Sequence, residues 1–378
     1  MKLVLKLIAG IVIGIILGLI APDFLIRLLV TIKVVFGSFI GFIIPLIILF
    51  FIASGVGGLG KKSGRLVGTT VGLSYLFTVI AGLLAFVISI TVIPFTSPEQ
   101  AGIAEGTSFE PFLRLEITPI MGVVTALVAA FLFGIGMAKT ESKTLKVVFD
   151  EGKNIIDLVI AKIIIPFLPI YIATIFAELA GEGTVFGTLK VFGVVLVLAI
   201  VTHWIWLIVQ YVAAGVVSGK NPFMLLKNMM PAYFTAIGTM SSAATIPVTL
   251  RSVKQNKVKD EIADFGVPLC ATIHLSGSVI TIVTCTVAVM LLTPELPQPT
   301  LMMMLPVIFM LGLIMVAAPG VPGGAIMAAL GILTTMLGFG EATIGLMIAL
   351  YMAQDSFGTA ANVTGDGAIN VIVDKLRL

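Results

Sequence analysis

Long apolar segments, separated by short polar connections, run through the whole chain. In the first half they lie at about 4–21, 28–55, 65–95, 117–139, 145–180 and 186–217. Each of them approaches or exceeds the ~20 apolar residues that a helix needs to cross the hydrocarbon core of a bilayer. The pattern therefore predicts an all-α polytopic membrane protein.

In the second half, two apolar segments are broken in their middle. GTMSSAATIP interrupts residues 222–254, and APGVPGG interrupts residues 300–338. Backbone groups freed by such breaks must line a cavity or be buried in protein when they lie at membrane depth. Paired interruptions of this kind are typical of the binding site of a transporter, so we interpret them as two re-entrant helical hairpins. The alternative is two ordinary kinked transmembrane helices.

Each broken segment is followed by a long helix, predicted at 259–292 and 341–376. The last of these carries Asp355, Thr359, Asn362 and Asp366 at spacings of three or four residues, which places them on one helix face. Carboxylates at membrane depth are costly unless they face a cation, a cavity or each other. Hard oxygen ligands of this kind suit Na⁺. The alternative is a structural polar network between helices.

Composition supports a membrane location. The chain is 59% hydrophobic and 11% charged, whereas soluble domains average about 25% charged residues. The net charge of +3 is small, so nucleic acid is not expected as a partner. Cys270 and Cys285 lie in an apolar segment without CxxC spacing and are expected to be small buried hydrophobes.

Loop charges predict the orientation. Basic residues collect on the side that holds both termini, and acidic residues collect on the other side, with Arg27, Lys33, Arg114 and Lys190 as exceptions. By the positive-inside rule both termini are cytoplasmic. The first apolar segment follows Lys2 and Lys6 and shows no obvious cleavage site before Pro22, so a retained first span is expected.

Further polar residues interrupt apolar helices. Ser241 and Ser242 lie at the first break, and His274 and Ser278 lie within ATIHLSGSVIT. His274 is expected to line a pathway. His203, beside Trp204 and Trp206, is expected to be structural or interfacial.

The order of SSAATIP, ATIHLSGS, PGVPGG and QDSFGTAANVTGD resembles the dicarboxylate/amino acid:cation symporter family, which includes the glutamate transporters. In their residues, these motifs are most similar to those of the family's bacterial sodium/serine-threonine symporters. The resemblance implies eight transmembrane helices, two oppositely oriented re-entrant hairpins, a homotrimer and an elevator mechanism with inverted repeats.

The resemblance also implies a division into domains. Scaffold spans would lie in 1–64 and, with an outer loop, in 96–182. The transport domain would comprise span 3 at 65–95 and residues 183–378, with hairpin 1 at 222–254, span 7 at 259–292, hairpin 2 at 300–338 and span 8 at 341–376.

Site roles follow from the matching motif positions. Asp355 would hold the α-ammonium of the substrate, Asn362 would hold its carboxylate and help to line a sodium site, and Asp366 would be the main sodium ligand. The expected substrate-binding residues are Ser241, Ser242, Ser278, Val321, Gly323, Asp355, Gly358, Thr359 and Asn362. The expected sodium ligands are Asp366, Asn362 and His274.

Departures from the family pattern are also informative. Members that carry acidic substrates have Arg where this chain has Gly358, so a neutral side chain is the better expectation, because a carboxylate without a partner is costly to desolvate. The family's Asn-Met-Asp-Gly-Thr motif reads His274-Leu-Ser-Gly-Ser278, and its Thr-Ser pair reads Thr78-Val79. Both losses affect one ion site, so fewer coupled sodium ions are expected, and His274 allows a proton to replace one of them.

The sequence therefore predicts a sodium-coupled symporter for small neutral amino acids such as serine, threonine or alanine, without an organic cofactor, in the cell inner membrane. The alternative is a symporter for acidic amino acids or dicarboxylates, with proton coupling through His274 as a further possibility. A cation channel and an intramembrane aspartyl protease are remote alternatives, the latter because Asp355 and Asp366 lie about 16 Å apart along one helix.

Overall fold

The structure is a computed structural model that describes residues 2–58, 64–96, 109–316, 318 and 322–376. In these residues the regular elements are helices, without strands. By length and composition, six helical stretches within them could cross a membrane. The prediction of an all-α, multi-pass membrane protein is thereby confirmed.

The helices follow the apolar segments of the sequence. In chain order they are α1 (Lys2–Ile20), α2 (Asp23–Gly58), α3 (Gly64–Thr96), α4 (Val123–Thr140), α5 (Lys143–Val159), a π-helical turn (Ile160–Ile164), α6 (Ile165–Gly181), α7 (Val185–Ser218), α8 (Pro222–Asn228), α9 (Met230–Thr239), α10 (Ser242–Gln255), α11 (Asp260–Ile273), α12 (Ser276–Leu292), α13 (Leu301–Met315), α14 (Gly324–Leu337) and α15 (Glu341–Lys375).

Helix packing falls into two groups. In one, α1 packs on α6, and α2 packs on α4, α5 and α6. In the other, α3 packs on α7, α11, α12 and α13, while α15 packs on α7, α9, α10, α11 and α12. The groups meet where α14 contacts α2 and α4, and where α15 contacts α1, α2 and α6.

Within the first group, Lys33 of α2 forms a largely buried ion pair with Glu178 of α6. This pairing explains how Lys33, an exception to the charge pattern of the loops, is accommodated inside an apolar helix.

The second group is built around α12 and α15. The residues of α12 from Ser276 to Met290 are all buried, and α15 is buried along nearly its whole length. Helices in such a position contact protein on all sides, so their polar side chains must find partners within the protein.

The segment 259–292 differs from the single long helix expected there. It forms α11 and α12, and His274 and Leu275 between them have non-helical backbone. A side chain from α15 caps the start of α12, as described below, so the break costs little in unpaired N–H groups.

Two other segments differ in detail. The segment 145–180 contains the π-helical turn, in which the Ile165 N–H bonds to the Ile160 carbonyl just before Pro166 and Pro169. Proline lacks an N–H and disturbs the regular ladder, which accounts for the wider turn. The segment 117–139 becomes helical only at Val123.

Candidate functional site

The polar face of α15 lies in the interior of the protein. Asp355, Thr359, Asn362 and Asp366 are at most 5% exposed, and they belong to one uninterrupted helix. Each of their side chains therefore needs a hydrogen-bond partner or a ligand. The contacts of the four residues differ along the helix.

Asp355 faces a set of donors. Its Oδ2 accepts a hydrogen bond of 2.8 Å from the backbone N–H of Gly323, the residue that precedes α14. The hydroxyl groups of Tyr351 and Thr359 face the same carboxylate, and Ser278 lies next to the Tyr351 hydroxyl. A negatively charged group at the start of a helix is favoured by the exposed N–H groups and the helix dipole. An ammonium group is a donor that this carboxylate could bind in the same way.

Gly323 requires glycine for two reasons. Its φ is +74°, a conformation that L side chains rarely adopt. A Cβ at this position would also lie 2.9 Å from Sδ of Met352. The residue can therefore bring its backbone N–H to Asp355. Val321, which was also expected to bind substrate, lies outside the described residues.

Asn362 connects α15 to the first turn of α12. Its Oδ1 accepts from the backbone N–H groups of Gly277 at 2.7 Å and Ser278 at 3.2 Å, and its Nδ2 donates to Ser278 Oγ at 2.9 Å. These N–H groups belong to the first turn of α12 and have no partner within the helix. The side chain of one helix thus acts as the N-terminal cap of another.

Asp366 is paired with a histidine. His274 Nδ1 lies 2.9 Å from Asp366 Oδ1, and since a carboxylate can only accept, this nitrogen is the donor. Gln210 Nε2 of α7 lies 3.3 Å from His274 Nε2. Asp366 Oδ2 has no hydrogen-bond partner among the described residues. One carboxylate oxygen therefore remains available to a cation.

The two carboxylates do not form a dyad. Asp355 contacts the start of α14, whereas Asp366 contacts His274 at the break between α11 and α12. A shared proton between two carboxylates, which an aspartyl protease needs, is not supported by this arrangement.

The first break of the second half lies between α9 and α10. Met240 ends α9 in the left-handed conformation, and Ser241 caps α10 by accepting from the Ala244 N–H at 3.3 Å. Ser242, the first residue of α10, is 3% exposed. Both α9 and α10 pack against α15.

Gly358 faces α12. A Cβ at this position would lie 3.2 Å from Thr281 Oγ1 and 3.5 Å from the Gly277 carbonyl. In the other direction, a Cβ at Gly277 would lie 2.3 Å from the Gly358 carbonyl oxygen. The backbones of α12 and α15 thus approach each other closely at this pair of glycines.

Three residues at this site were not selected from the sequence. Tyr351 lies one turn before Asp355 on the same helix face, and this spacing could have identified it. His203 and Gln210 are seven residues apart, which places them on one face of α7. His203 is 1% exposed and contacts α12, so of the two roles expected for it, structural or interfacial, the structure shows the structural one.

Comparison with known proteins agrees with the helical architecture. A model of the sodium:dicarboxylate symporter family matches residues 3–376. Excitatory amino acid transporter 1 of Ambystoma tigrinum is 28% identical over 277 residues, which make up 70% of this chain and 50% of that protein. This chain thus spans about half the length of the excitatory amino acid transporters that it matches.

Bacterial relatives align over more of their length. The serine/threonine transporter SstT of Streptococcus thermophilus (strain CNRZ 1066) is 27% identical over 335 residues, 82% of this chain and 80% of that protein. SstT of Acinetobacter baumannii (strain AYE) is 27% identical over 255 residues, 65% of this chain and 62% of that protein. The family and these relatives are named as transporters, not as enzymes. Since the family match covers nearly every residue, the chain belongs to the sodium:dicarboxylate symporter family.

Proposed function

We propose that this protein is a sodium-coupled secondary active symporter that takes up small neutral amino acids such as serine, threonine or alanine. The observation that carries this proposal is the buried polar face of α15. Its two carboxylates serve separate positions, one facing donor groups and one retaining a free oxygen. An amino acid brings an ammonium and a carboxylate, and sodium brings a second positive charge.

In this proposal Asp355 holds the substrate ammonium, with Thr359 and the Gly323 backbone beside it. Ser278 and Asn362 provide polar groups for the substrate carboxylate, together with Ser241 and Ser242 at the tip between α9 and α10. Asp366, with Asn362, binds sodium through oxygen ligands. The match to a serine/threonine transporter over most of both chains supports this assignment.

The absence of a basic partner favours a neutral substrate. The described contacts of Asp355 and Thr359 include no Lys or Arg side chain, and position 358 is glycine. The carboxylate of an acidic side chain would lose its hydration here without gaining a positive partner. Transport of acidic amino acids or dicarboxylates is the alternative.

The proposed architecture is that of the family. Eight spans and two re-entrant hairpins, α8–α10 and α13–α14, would form a scaffold and a transport domain in a homotrimer of the cell inner membrane, with both termini cytoplasmic. The second packing group, which contains α15, would move as one body against the first.

Proton coupling is a second candidate, favoured by the contact between His274 and Asp366. With the Gln210 amide nitrogen facing His274 Nε2, Nε2 is placed to accept, and Nδ1 donates to Asp366. A doubly protonated His274 would donate to Asp366 and to the Gln210 oxygen, after a rotation of the amide. It would then place a positive charge next to the carboxylate that otherwise binds sodium.

Uptake into proteoliposomes tests these proposals. A panel of labelled amino acids should show uptake of serine, threonine or alanine that requires an inward sodium gradient. Asp366→Asn removes the charge that attracts sodium while keeping the side-chain shape, so uptake should fall by roughly tenfold or more. Serine uptake that is indifferent both to sodium and to this substitution would contradict sodium coupling.

A pH gradient without sodium separates the two coupling ions. Uptake driven by the pH gradient alone, and lost in His274→Asn, would support proton coupling. Thr286→Val is a suitable control, because Thr286 is buried in α12 and its hydroxyl bonds to the Ile282 carbonyl of the same helix.

A further inference from the structure

His203 is a second buried histidine, and it contacts the first turn of α12 from α7. Its Nε2 lies 2.9 Å from the Gly277 carbonyl oxygen. Because a carbonyl can only accept, Nε2 carries the proton and donates. His203 lies on α7, 74 residues before Gly277, so this contact joins two separate helices.

Thr281 contacts both of these groups. Its Oγ1 lies 3.2 Å from the Gly277 carbonyl and 3.2 Å from His203 Nε2. The three groups form a compact cluster, and all three residues are buried. Nδ1 of His203 has no partner among the described residues, so a second proton on the ring would find no acceptor there.

Gly277 is therefore fixed through both of its backbone groups. Its N–H is bonded to Asn362 of α15, and its carbonyl is bonded to His203 of α7. Its Cα meets the Gly358 backbone so closely that a Cβ would not fit. The next residue is Ser278, whose hydroxyl accepts from Asn362. A shift of this turn by a few tenths of an ångström would displace Ser278 from the proposed substrate carboxylate.

We infer that His203 is a positioning residue for substrate binding, which holds the first turn of α12, and with it Ser278, at the correct distance from α15. The inference rests on the proposed function for its effect on transport, but the structural part stands on its own. His203 does not touch substrate; it acts through the Gly277 carbonyl. Its loss should weaken substrate affinity and leave the translocation step largely unchanged.

Two substitutions separate this role from simple packing. His203→Phe keeps a ring of similar size but cannot donate to Gly277. His203→Gln keeps an N–H donor at the reach of Nε2. For labelled serine, KM should rise roughly tenfold in His203→Phe with Vmax within about twofold, and His203→Gln should restore KM to within about threefold of wild type.

Thr281→Val provides an independent variant with a smaller change. Removing its hydroxyl should raise KM by roughly two- to threefold, whereas the matched control Thr286→Val on the same helix should leave KM unchanged. If His203→Phe is not recovered as folded protein, the comparison of Thr281→Val with Thr286→Val decides the question.

Amide hydrogen exchange supplies a readout that does not depend on transport. In the protein reconstituted in nanodiscs, peptides that cover the start of α12 should exchange faster in His203→Phe than in wild type, and at the wild-type rate in His203→Gln.

If no serine is taken up by the wild type, the proposed function fails while the exchange result still decides this inference. Equal KM and equal exchange in wild type and His203→Phe, or equal impairment by Phe and Gln, would overturn it.

Discussion

Residue 358 shows how a missing side chain can affect both packing and specificity. Glycine here allows α15 to approach Gly277 of α12, and in the proposed site it leaves no positive charge for the side-chain carboxylate of an acidic substrate. The nearest atom to a Cβ at this position would be a hydroxyl oxygen, Thr281 Oγ1 at 3.2 Å. A side chain can therefore be added if Thr281 moves slightly.

Gly358→Arg tests the specificity argument. The guanidinium would pair with the side-chain carboxylate of aspartate, and charge-assisted hydrogen bonds contribute ~1.5–3 kcal/mol, so labelled aspartate uptake should rise by roughly tenfold or more relative to serine uptake. Gly358→Ala is the control, since it introduces the same Cβ without the charge and should keep the preference for serine. An unchanged specificity in Gly358→Arg would favour an acidic substrate for the native protein.

The four polar residues of α15 could be found from the sequence because their spacing is local. Their hydrogen-bond partners could not be found in this way. Asn362 bonds to residues 84 and 85 positions away, and His203 bonds to Gly277 across 74 positions. Nothing in the local pattern around THWIW distinguishes a histidine that contacts a distant backbone carbonyl from one at a membrane interface. Such roles depend on the packing of α7, α12 and α15.

Among the helical elements, α12 begins with N–H groups that bond to a side chain of a neighbouring helix. Asn362→Ala would remove the acceptor for the N–H groups of Gly277 and Ser278 in a fully buried region. Unpaired buried donors cost ~1–3 kcal/mol, so the thermal unfolding midpoint in detergent should fall. Asn362→Asp keeps an acceptor oxygen and should lose less stability than Asn362→Ala.

Asn370→Ala is a matched control for this substitution. Asn370 is also buried on α15, but its amide donates to the Asp366 carbonyl of its own helix at 2.8 Å and makes only a long contact of 3.9 Å with Cys270 Sγ of α11. Its removal should therefore lower the unfolding midpoint less than Asn362→Ala does. Equal midpoints for wild type and Asn362→Ala would show that the cap is not needed to hold α12.

Element boundaries were predictable where the signal is local. The final helix was expected at 341–376 and runs from Glu341 to Lys375, because apolar length and flanking glycine define it. The break at His274 was not expected as a helix end, since its neighbours are compatible with a continuous helix. The break is stabilised by Asp366, Gln210 and Asn362, which lie on other helices.

For the whole molecule, the position of the start of α15 along helices α2 and α6 is informative. Helix α15 begins at Glu341, which lies beside Gly37 of α2. A Cβ added at Gly37 would be 3.7 Å from Glu341 Cδ and 3.7 Å from the Tyr171 hydroxyl oxygen. Gly37 lies fourteen residues, or roughly 21 Å, from the start of α2, and Tyr171 lies roughly 15 Å from the end of α6. In the proposed orientation, the outer end of α15 is thus well below the outer ends of α2 and α6. In the elevator mechanism proposed above, the second group would move along the first, so this contact between α15 and α2 would change during transport.

A cross-link between the two helix groups tests this motion. In Gly37→Cys/Glu341→Cys, bridging of the two thiols by mercury should hold the start of α15 beside Gly37 and stop serine uptake. A thiol added in excess should remove the mercury and restore uptake.

Gly57→Cys/Met137→Cys is the control, since a Cβ at Gly57 lies 3.4 Å from Met137 Cβ and both residues belong to the α2–α4 pair of the first group. The native Cys270 and Cys285 are fully buried and should not compete. Bridging the control pair should leave uptake within about twofold of the untreated rate, because those helices need not move against each other. Full uptake with the Gly37/Glu341 pair bridged would show that α15 does not travel along α2, and the elevator mechanism would have to be abandoned for this protein.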